Sequence, residues 1–309
     1  MNVNLISIVI PVYNSESTLS ELLERLTQVT SNLKYNFQII LIDDGSTDQS
    51  WNKIENLFTK YPTITALRLT KNFGQQAALL AGFKFCKGEL ILTMDDDLQH
   101  PPEEIIKLVS KFEETKASVV YGLPSNKQHS AIRNASSKAV TLTSASGNHQ
   151  GSSFRLIKRE IIEKIILNHQ YNFLFIDALL NWYTSDFTTV EVEHHARKAG
   201  KSGYTFRKLF SIHFKTMINY SVLPLKLLIF GGILTSIISF FIGTFFIWKK
   251  LMFDVPLGYT SIIVAILFSS GLIFLGIGFL GLYIHKIYEF NLNKPVYFVN
   301  KILTLSNDN

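Results

Sequence analysis

LILTMDDDLQ, residues Leu90–Gln99, joins a short apolar run to three carboxylates and an amide. The apolar run predicts a buried strand, so the acidic residues would lie where that strand ends. Carboxylates this close repel one another, and hard oxygen ligands suit Mg²⁺ or Mn²⁺, which would cancel the repulsion. We therefore predict a divalent-metal site here. A solvated acidic turn is the alternative for this stretch taken alone.

Working outward, residues 6–122 alternate between strand-like and helix-like segments. We predict strands at Ile6–Val12, Phe37–Ile42, Ile64–Leu69, Leu90–Met94 and Ala117–Tyr121, and helices at Ser17–Leu33, at Gln75–Cys86 and after Pro102. This alternation predicts an α/β domain with a mostly parallel sheet. Ligands bind beyond the carboxyl ends of such strands, where the acidic clusters fall. Neither Gly-x-Gly-x-x-Gly nor a P-loop motif occurs, so a dinucleotide fold is not supported.

The C-terminal third carries two long runs without charge, Leu227–Trp248 and Tyr259–Ile284. Each can cross a hydrocarbon core of about 30 Å. We predict a hairpin of two transmembrane helices, at about residues 223–248 and 259–285, with two buried helices of a soluble protein as the alternative. An amphipathic pattern at 204–222 predicts an interfacial helix, with a helix docked on the soluble domain as the alternative.

Charge and cysteine content suggest the compartment. Basic residues flanking the hairpin outnumber those in its loop, so we expect a multi-pass protein of the cytoplasmic membrane with both termini in the cytoplasm. The single cysteine, Cys86, excludes an internal disulfide, and we see no signal peptide. The net charge of +6 suits an anionic membrane or an acidic substrate. No nucleic-acid-binding motif is visible, so we expect no nucleic-acid partner.

Several motifs follow the predicted strands in a fixed order. They are PVYNSE at 11–16, IDDGSTD at 42–48, KNFG at 71–74, the Asp-x-Asp of Asp95 and Asp97, and QHPPE at 99–103. Together they resemble the family 2 glycosyltransferases of the GT-A fold. The resemblance narrows to polyprenyl-phosphate glycosyltransferases, the group of the bactoprenol (undecaprenyl-phosphate) glucosyltransferases and dolichol-phosphate mannose synthase, and extends over nearly the whole chain.

The resemblance implies a domain division and a set of site residues. Residues 1–203 would form the GT-A domain, 204–222 the interfacial helix, 223–285 the hairpin and 286–309 a cytoplasmic tail. The implied catalytic residues are Asp95, Asp97 and Arg197, with Asp95, Asp97 and Gln99 on the metal. The implied nucleotide-binding residues are Pro11, Tyr13, Asn14, Glu16, Asp43, Asp44, Lys71 and Asp96, of which Asp43 is the one that strand alternation could turn inward.

For the acceptor phosphate the resemblance implies Arg133, Ser137, Arg155, Lys201 and Ser202. A merely solvated charge is the alternative for Arg133 and Arg155. One departure affects this half of the site, since the family's Gly-x-Arg-x-x-Arg is replaced by GLPSNK at 122–127.

The implied activity is inverting transfer of a sugar from a nucleotide-sugar, for which we expect a UDP-sugar such as UDP-glucose, to undecaprenyl phosphate on the cytoplasmic leaflet. Such an acceptor needs no general base, because an alkyl phosphate already carries an oxyanion at pH 7. A different membrane acceptor, diacylglycerol or a glycan hydroxyl, is one alternative. A non-catalytic scaffold that keeps the fold is another. Whether the chain forms a homo-oligomer stays open.

Overall fold

The computed structural model describes residues 4–124, 152–168, 175–195, 258–292 and 295–304, with isolated helical positions between 230 and 252. The chain divides into two compact units. One comprises Met1–Asn134, Ser146–Gly203 and Lys294–Asn309, and the other Ala135–Ala145 and Tyr204–Asn293.

The first unit is an α/β domain, which confirms the predicted fold class. Its elements are β1 (Leu5–Val12), α1 (Leu19–Ser31), β2 (Asn36–Asp43), α2 (Ser50–Lys60), β3 (Ile64–Leu69), α3 (Gln75–Phe83), β4 (Leu90–Thr93), a 3-10 turn (Pro102–Glu104), α4 (Ile105–Thr115), β5 (Val119–Pro124), β6 (Arg155–Lys158), α5 (Arg159–Asn168), α6 (Ile176–Tyr183), β7 (Phe187–Val192) and β8 (Val299–Leu303).

The strands form one sheet in the order β7-β5-β6-β4-β1-β2-β3-β8. The central strands β4, β1, β2 and β3 are mutually parallel, so their carboxyl ends share one edge. β6 runs antiparallel to β4, with Arg155 opposite Thr93. This reversal brings the residues just before β6 to the carboxyl end of β4, beside the acidic loop.

Side chains on the two faces of the sheet build two separate cores. Ile8 and Ile10 of β1 pack with α1, α2 and α4 on one face, whereas Val9 between them packs with α3, α5 and α6 on the other. This alternation is what a strand covered on both faces requires. Each fully buried Ile or Leu contributes about 1.5–3 kcal/mol of transfer free energy, so both helix layers are held firmly.

The C-terminal residues return to the first unit. β8 pairs antiparallel with β3, setting Lys301 opposite Arg68, and Thr70 N–H donates to Phe298 O at 3.0 Å. The segment 286–309 was expected only to be a tail, and the sequence analysis did not predict this strand. Lys301 Nζ also lies 2.6 Å from Glu55 Oε1 on α2.

The second unit contributes one long helix to the described residues, α7 (Tyr259–Asn291). It begins where the second transmembrane helix was predicted to begin and runs past the predicted end at 285. Within the described residues it is the one helix, over Phe268–His285, long and apolar enough to cross a membrane, judged by length and composition alone. The interfacial helix 204–222 lies outside the described residues, and so does nearly all of the first span at 223–248. The hairpin stays a prediction.

Candidate functional site

Four loops meet at the carboxyl edge of the central strands. They follow β1 at 13–16, β2 at 44–48, β3 at 70–74 and β4 at 94–100. Each carries one of the motifs identified in the sequence. The parallel register of β1, β2 and β3 therefore brings together residues that are far apart in the chain.

The loop after β3 holds the carboxylate of Asp44. Asp44 Oδ1 accepts from Phe73 N–H at 2.7 Å and Oδ2 from Gly74 N–H at 2.9 Å. Burial, which leaves Asp44 2% exposed, raises its pKa, and the two N–H donors oppose that rise. The carboxylate is thus fixed by backbone at the site edge.

Gly45 permits the close approach of these two loops. Its φ is +67°, and a Cβ there would lie 2.5 Å from Lys71 C and 2.7 Å from Asn72 N. Both are backbone atoms, so they could move aside only if the loop after β3 shifted. Only glycine fits, because it combines a left-handed conformation with the absence of a side chain.

Asp43, one residue earlier, has different surroundings. It is fully buried, its Oδ1 accepts from Ser46 N–H at 3.1 Å, and its Oδ2 lies 3.4 Å from Arg68 Nε. Burial raises the pKa of Asp43. These contacts tie the β2 loop to β3 and close Asp43 off from solvent, so its predicted contact with the nucleotide stays a prediction.

The loop after β1 joins the loop after β2. Asn14 has φ +53°, and its Oδ1 accepts from Thr47 N–H at 2.8 Å. Glu16 Oε2 accepts from Gln49 N–H at 2.9 Å. Tyr13 is 47% exposed, whereas Pro11 is buried at the end of β1. The exposed Tyr13 ring is thus available to a ligand at this edge.

Lys71, another predicted nucleotide-binding residue, is exposed on the loop after β3. Its Nζ lies 5.2 Å from the centre of the Phe73 ring.

The acidic loop after β4 is held from several sides. Gln75 Nε2 donates to Asp95 Oδ1, and Ser153 Oγ donates to Asp95 Oδ2 at 2.7 Å. Asp97 Oδ1 accepts from Gln99 N–H at 3.1 Å. Leu98 between them has φ +58° and is buried. The predicted metal ligands Asp95, Asp97 and Gln99 therefore belong to one tight, partly exposed turn.

Asp96 connects the acidic loop to the loop after β1. Its Oδ2 accepts from Tyr13 N–H at 3.2 Å. Burial raises the pKa of Asp96 to about 6, despite this hydrogen bond. This contact places the predicted nucleotide-binding and metal-binding motifs next to each other.

The donor set fits a hard divalent cation. Two carboxylates and an amide oxygen supply only oxygen, and Mg²⁺ is commonly bound by one or two carboxylates together with substrate phosphates. No group of three or more His, Cys, Asp or Glu residues in the described ranges is placed to hold a metal alone. Asp95, Asp97 and Gln99 are the residues that would hold such an ion together with substrate phosphates.

A cluster of three rings that the sequence analysis missed supports the end of this loop. His100 stacks on Phe154 with ring centres 5.1 Å apart, and His194 meets His100 edge-on at 5.0 Å. Burial lowers the pKa of His100 to about 4, so the ring is neutral at pH 7. His195 N–H donates to Gln99 O at 2.8 Å. The residues after β7 are thereby attached to the acidic loop.

Arg155 was predicted to bind the acceptor phosphate but is 1% exposed, and its guanidinium pairs with Asp177. Tyr121 Oη donates to the same carboxylate at 2.9 Å, and burial raises the pKa of Tyr121. The predicted contact of Arg155 with the acceptor phosphate stays a prediction. The remaining predicted acceptor residues lie outside the described ranges, and so does the predicted catalytic residue Arg197; the acceptor residues are Arg133, Ser137, Lys201 and Ser202.

Comparison with known proteins identifies the family that this chain resembles. A model of the family described as Glycosyl transferase family 2 matches residues 7–181. The undecaprenyl-phosphate 4-deoxy-4-formamido-L-arabinose transferase of Shewanella sediminis (strain HAW-EB3) is 35% identical over 98% of this chain and 93% of its own length. The enzyme of the same name from Proteus mirabilis (strain HI4320) is 34% identical over 99% and 96%.

Among solved structures, a mannosyltransferase from Pyrobaculum calidifontis in complex with GDP-Man and Mn²⁺ is 17% identical, with a TM-score of 0.48, and covers 65% of this chain and 59% of its own. The family match spans more than half of the chain, and the similarity to the transferases extends along its length. The resemblance seen in the sequence is thus confirmed: the chain is a glycosyltransferase and belongs to glycosyl transferase family 2.

Proposed function

We propose that the protein transfers a sugar from a nucleotide-sugar to undecaprenyl phosphate at the cytoplasmic face of the membrane, with inversion at the sugar. The observation that carries this proposal is the similarity to undecaprenyl-phosphate transferases over 98% of the chain, which includes α7 as well as the site. UDP-glucose and a nucleotide-linked 4-deoxy-4-formamido-L-arabinose are the donors to test first.

The edge of the sheet supports the donor half of this proposal. Tyr13 offers an exposed ring, and the backbone-held carboxylate of Asp44 lies where the loops after β2 and β3 meet. An aromatic face and a fixed acceptor suit a nucleoside base and its N–H groups. Asp95, Asp97 and Gln99 would hold Mg²⁺ or Mn²⁺. Such an ion supplies charge stabilisation for the departing nucleoside diphosphate.

The acceptor half rests on basic residues that follow β7. His195 is hydrogen-bonded to Gln99 through the backbone, and Arg197 comes two residues later. The resemblance to the family implies a catalytic role for Arg197, and we assign that role to the acceptor phosphate. A guanidinium there would bind the acceptor phosphate and steer its oxyanion to the sugar carbon. Lys201 and Ser202 would add further donors.

The connectivity of the sheet supports the membrane hairpin. The chain leaves the first unit before α7 and returns to it at β8, which pairs with β3 of the same sheet. A chain that starts and ends on one side of a membrane must cross it an even number of times. If α7 crosses, a second crossing is required, and the apolar segment at 223–248 is the candidate.

One assay separates the proposed function from its alternatives. Purified full-length protein is incubated with radiolabelled nucleotide-sugars, Mg²⁺ or Mn²⁺, and undecaprenyl phosphate, and the lipids are extracted. We expect label in the lipid fraction that mild acid releases as free sugar. Label that resists mild acid would indicate diacylglycerol or a glycan hydroxyl as the acceptor. The absence of transfer from every nucleotide-sugar would support a scaffold and refute the proposal.

A further inference from the structure

Gln75 is the residue through which α3 contacts the acidic loop. It is the first residue of α3, and its Nε2 donates to Asp95 Oδ1. From the residues just before β6, Ser153 Oγ donates to Asp95 Oδ2 at 2.7 Å. Each carboxylate oxygen of Asp95 thus accepts a hydrogen bond from a different part of the chain. The two donors together fix the plane of the Asp95 carboxylate.

The two residues before Gln75 hold the other acidic group of the site. Phe73 N–H and Gly74 N–H donate to the two oxygens of Asp44. Three consecutive residues therefore contact both Asp44, through the backbone, and Asp95, through a side chain. The separation of these two carboxylates depends on the position of one short stretch of chain.

That stretch rests on a rigid base. The rest of α3, Ala77–Phe83, is buried against β1 and β2, and Gly82 removes the side chain that would otherwise meet Ile42 Cδ1 at 2.6 Å. Gln76 Oε1 accepts from Ile176 N–H at 3.1 Å, which attaches the start of α3 to α6. Gln75 is consequently presented by a fixed element although its own side chain is exposed.

We propose that Gln75 is a positioning residue for the metal-binding carboxylate of Asp95, and that it acts jointly with Ser153. Gln75 orients Asp95 toward the ion and keeps it at a fixed distance from Asp44, so that a bound nucleoside diphosphate meets base and metal contacts together. This inference rests on the proposed metal-dependent transfer. Partners that orient a metal ligand typically change metal affinity by about 10–100-fold when removed.

The test measures metal binding as well as transfer. Full-length protein in detergent is titrated with Mn²⁺ in the presence of UDP, and free Mn²⁺ is followed by electron paramagnetic resonance. Gln75→Ala should raise the apparent Kd for Mn²⁺ about 10–100-fold, and Ser153→Ala should do the same. The double variant should lose less than the product of the two losses, because both donors act on one carboxylate. Gln28→Ala, an exposed glutamine on α1, is the matched control and should leave the Kd unchanged.

The kinetics should show that the defect of Gln75→Ala lies in metal binding. Raising Mn²⁺ should restore most of the kcat of Gln75→Ala, since the metal ligand itself is still present. Binding of UDP without metal should be unchanged, as judged by calorimetry. A Gln75→Ala protein that binds Mn²⁺ like the wild type, or one that loses metal-free UDP binding equally, would overturn the inference. Fully multiplicative losses in the double variant would also overturn it. If the wild type bound no Mn²⁺ with UDP, the metal assignment of the proposed function would fail instead.

Discussion

Substitution of Gly45 by alanine tests how the loops after β2 and β3 hold the donor site. Placing a Cβ at φ +67° costs about 1–2 kcal/mol for the left-handed conformation. The new Cβ would also lie 2.5 Å from Lys71 C, and overpacking of this kind costs about 1–3 kcal/mol. The sum, about 2–5 kcal/mol of unfolding free energy, corresponds to a fall in Tm of roughly 5–15 °C for a domain of this size.

The same clash should weaken donor binding. Relief requires the backbone at Lys71 and Asn72 to move, and Phe73 and Gly74, which hold Asp44, follow directly. We expect the Kd for UDP to rise at least about tenfold, the effect of losing roughly 1.4 kcal/mol.

Thermal unfolding by intrinsic fluorescence and UDP binding by calorimetry, both on the full-length protein, measure the two effects. Gly88→Ala is the control, because its Cβ would meet Leu5 O at 2.7 Å at the other end of the sheet. It should lower Tm without changing UDP affinity. The reasoning would be refuted if Gly45→Ala kept the wild-type Tm, or if both variants lost UDP affinity equally.

Three further predictions concern single side chains. Asp97→Ala should abolish transfer and Mn²⁺ binding while keeping the wild-type Tm, because a partly exposed strand-end carboxylate adds little to the core; near-normal transfer would contradict the metal assignment. Burial raises the pKa of Asp43, so the folded state binds that proton more tightly and the unfolding free energy falls as pH rises above about 4. Asp43→Asn should flatten that slope in denaturant titrations, and an unchanged slope would exclude Asp43 as its source. Tyr121→Phe should cost about 1.5–3 kcal/mol of unfolding free energy through the lost hydrogen bond to the Asp177 carboxylate, with transfer retained. Loss of transfer at unchanged stability would instead give Tyr121 a direct role.

Local sequence patterns were sufficient to predict the strands of the central sheet. The strand predicted at Ile64–Leu69 has those bounds in the structure, and the strand at Leu90–Met94 differs by one residue. These strands are continuous apolar runs because helices cover both of their faces. The loops that follow these strands were predicted from the motifs that come directly after the apolar runs.

The missed features depend on contacts between distant residues. The burial of Arg155 depends on Asp177, a carboxylate 22 positions later in the chain, which pairs with its guanidinium. β8 is short, and its five residues include Asn300 and Lys301, so no apolar run in the sequence indicates a strand there. Its pairing depends on the free edge of β3, which no local pattern of the tail encodes. The contact between His100 and His194 likewise arises from the path of the chain after β7 ends at Val192.

The position of β8 has a consequence for how the protein is made. The chain is synthesised from its N-terminus, so β3 emerges early and its outer edge waits with unpaired N–H and C=O groups until β8 leaves the ribosome. Residues 70–298, including α7, are made in between. A nascent or truncated chain that stops before Val299 therefore carries an open sheet edge of the kind that pairs with other chains. Completion of the sheet therefore waits until α7 has been made.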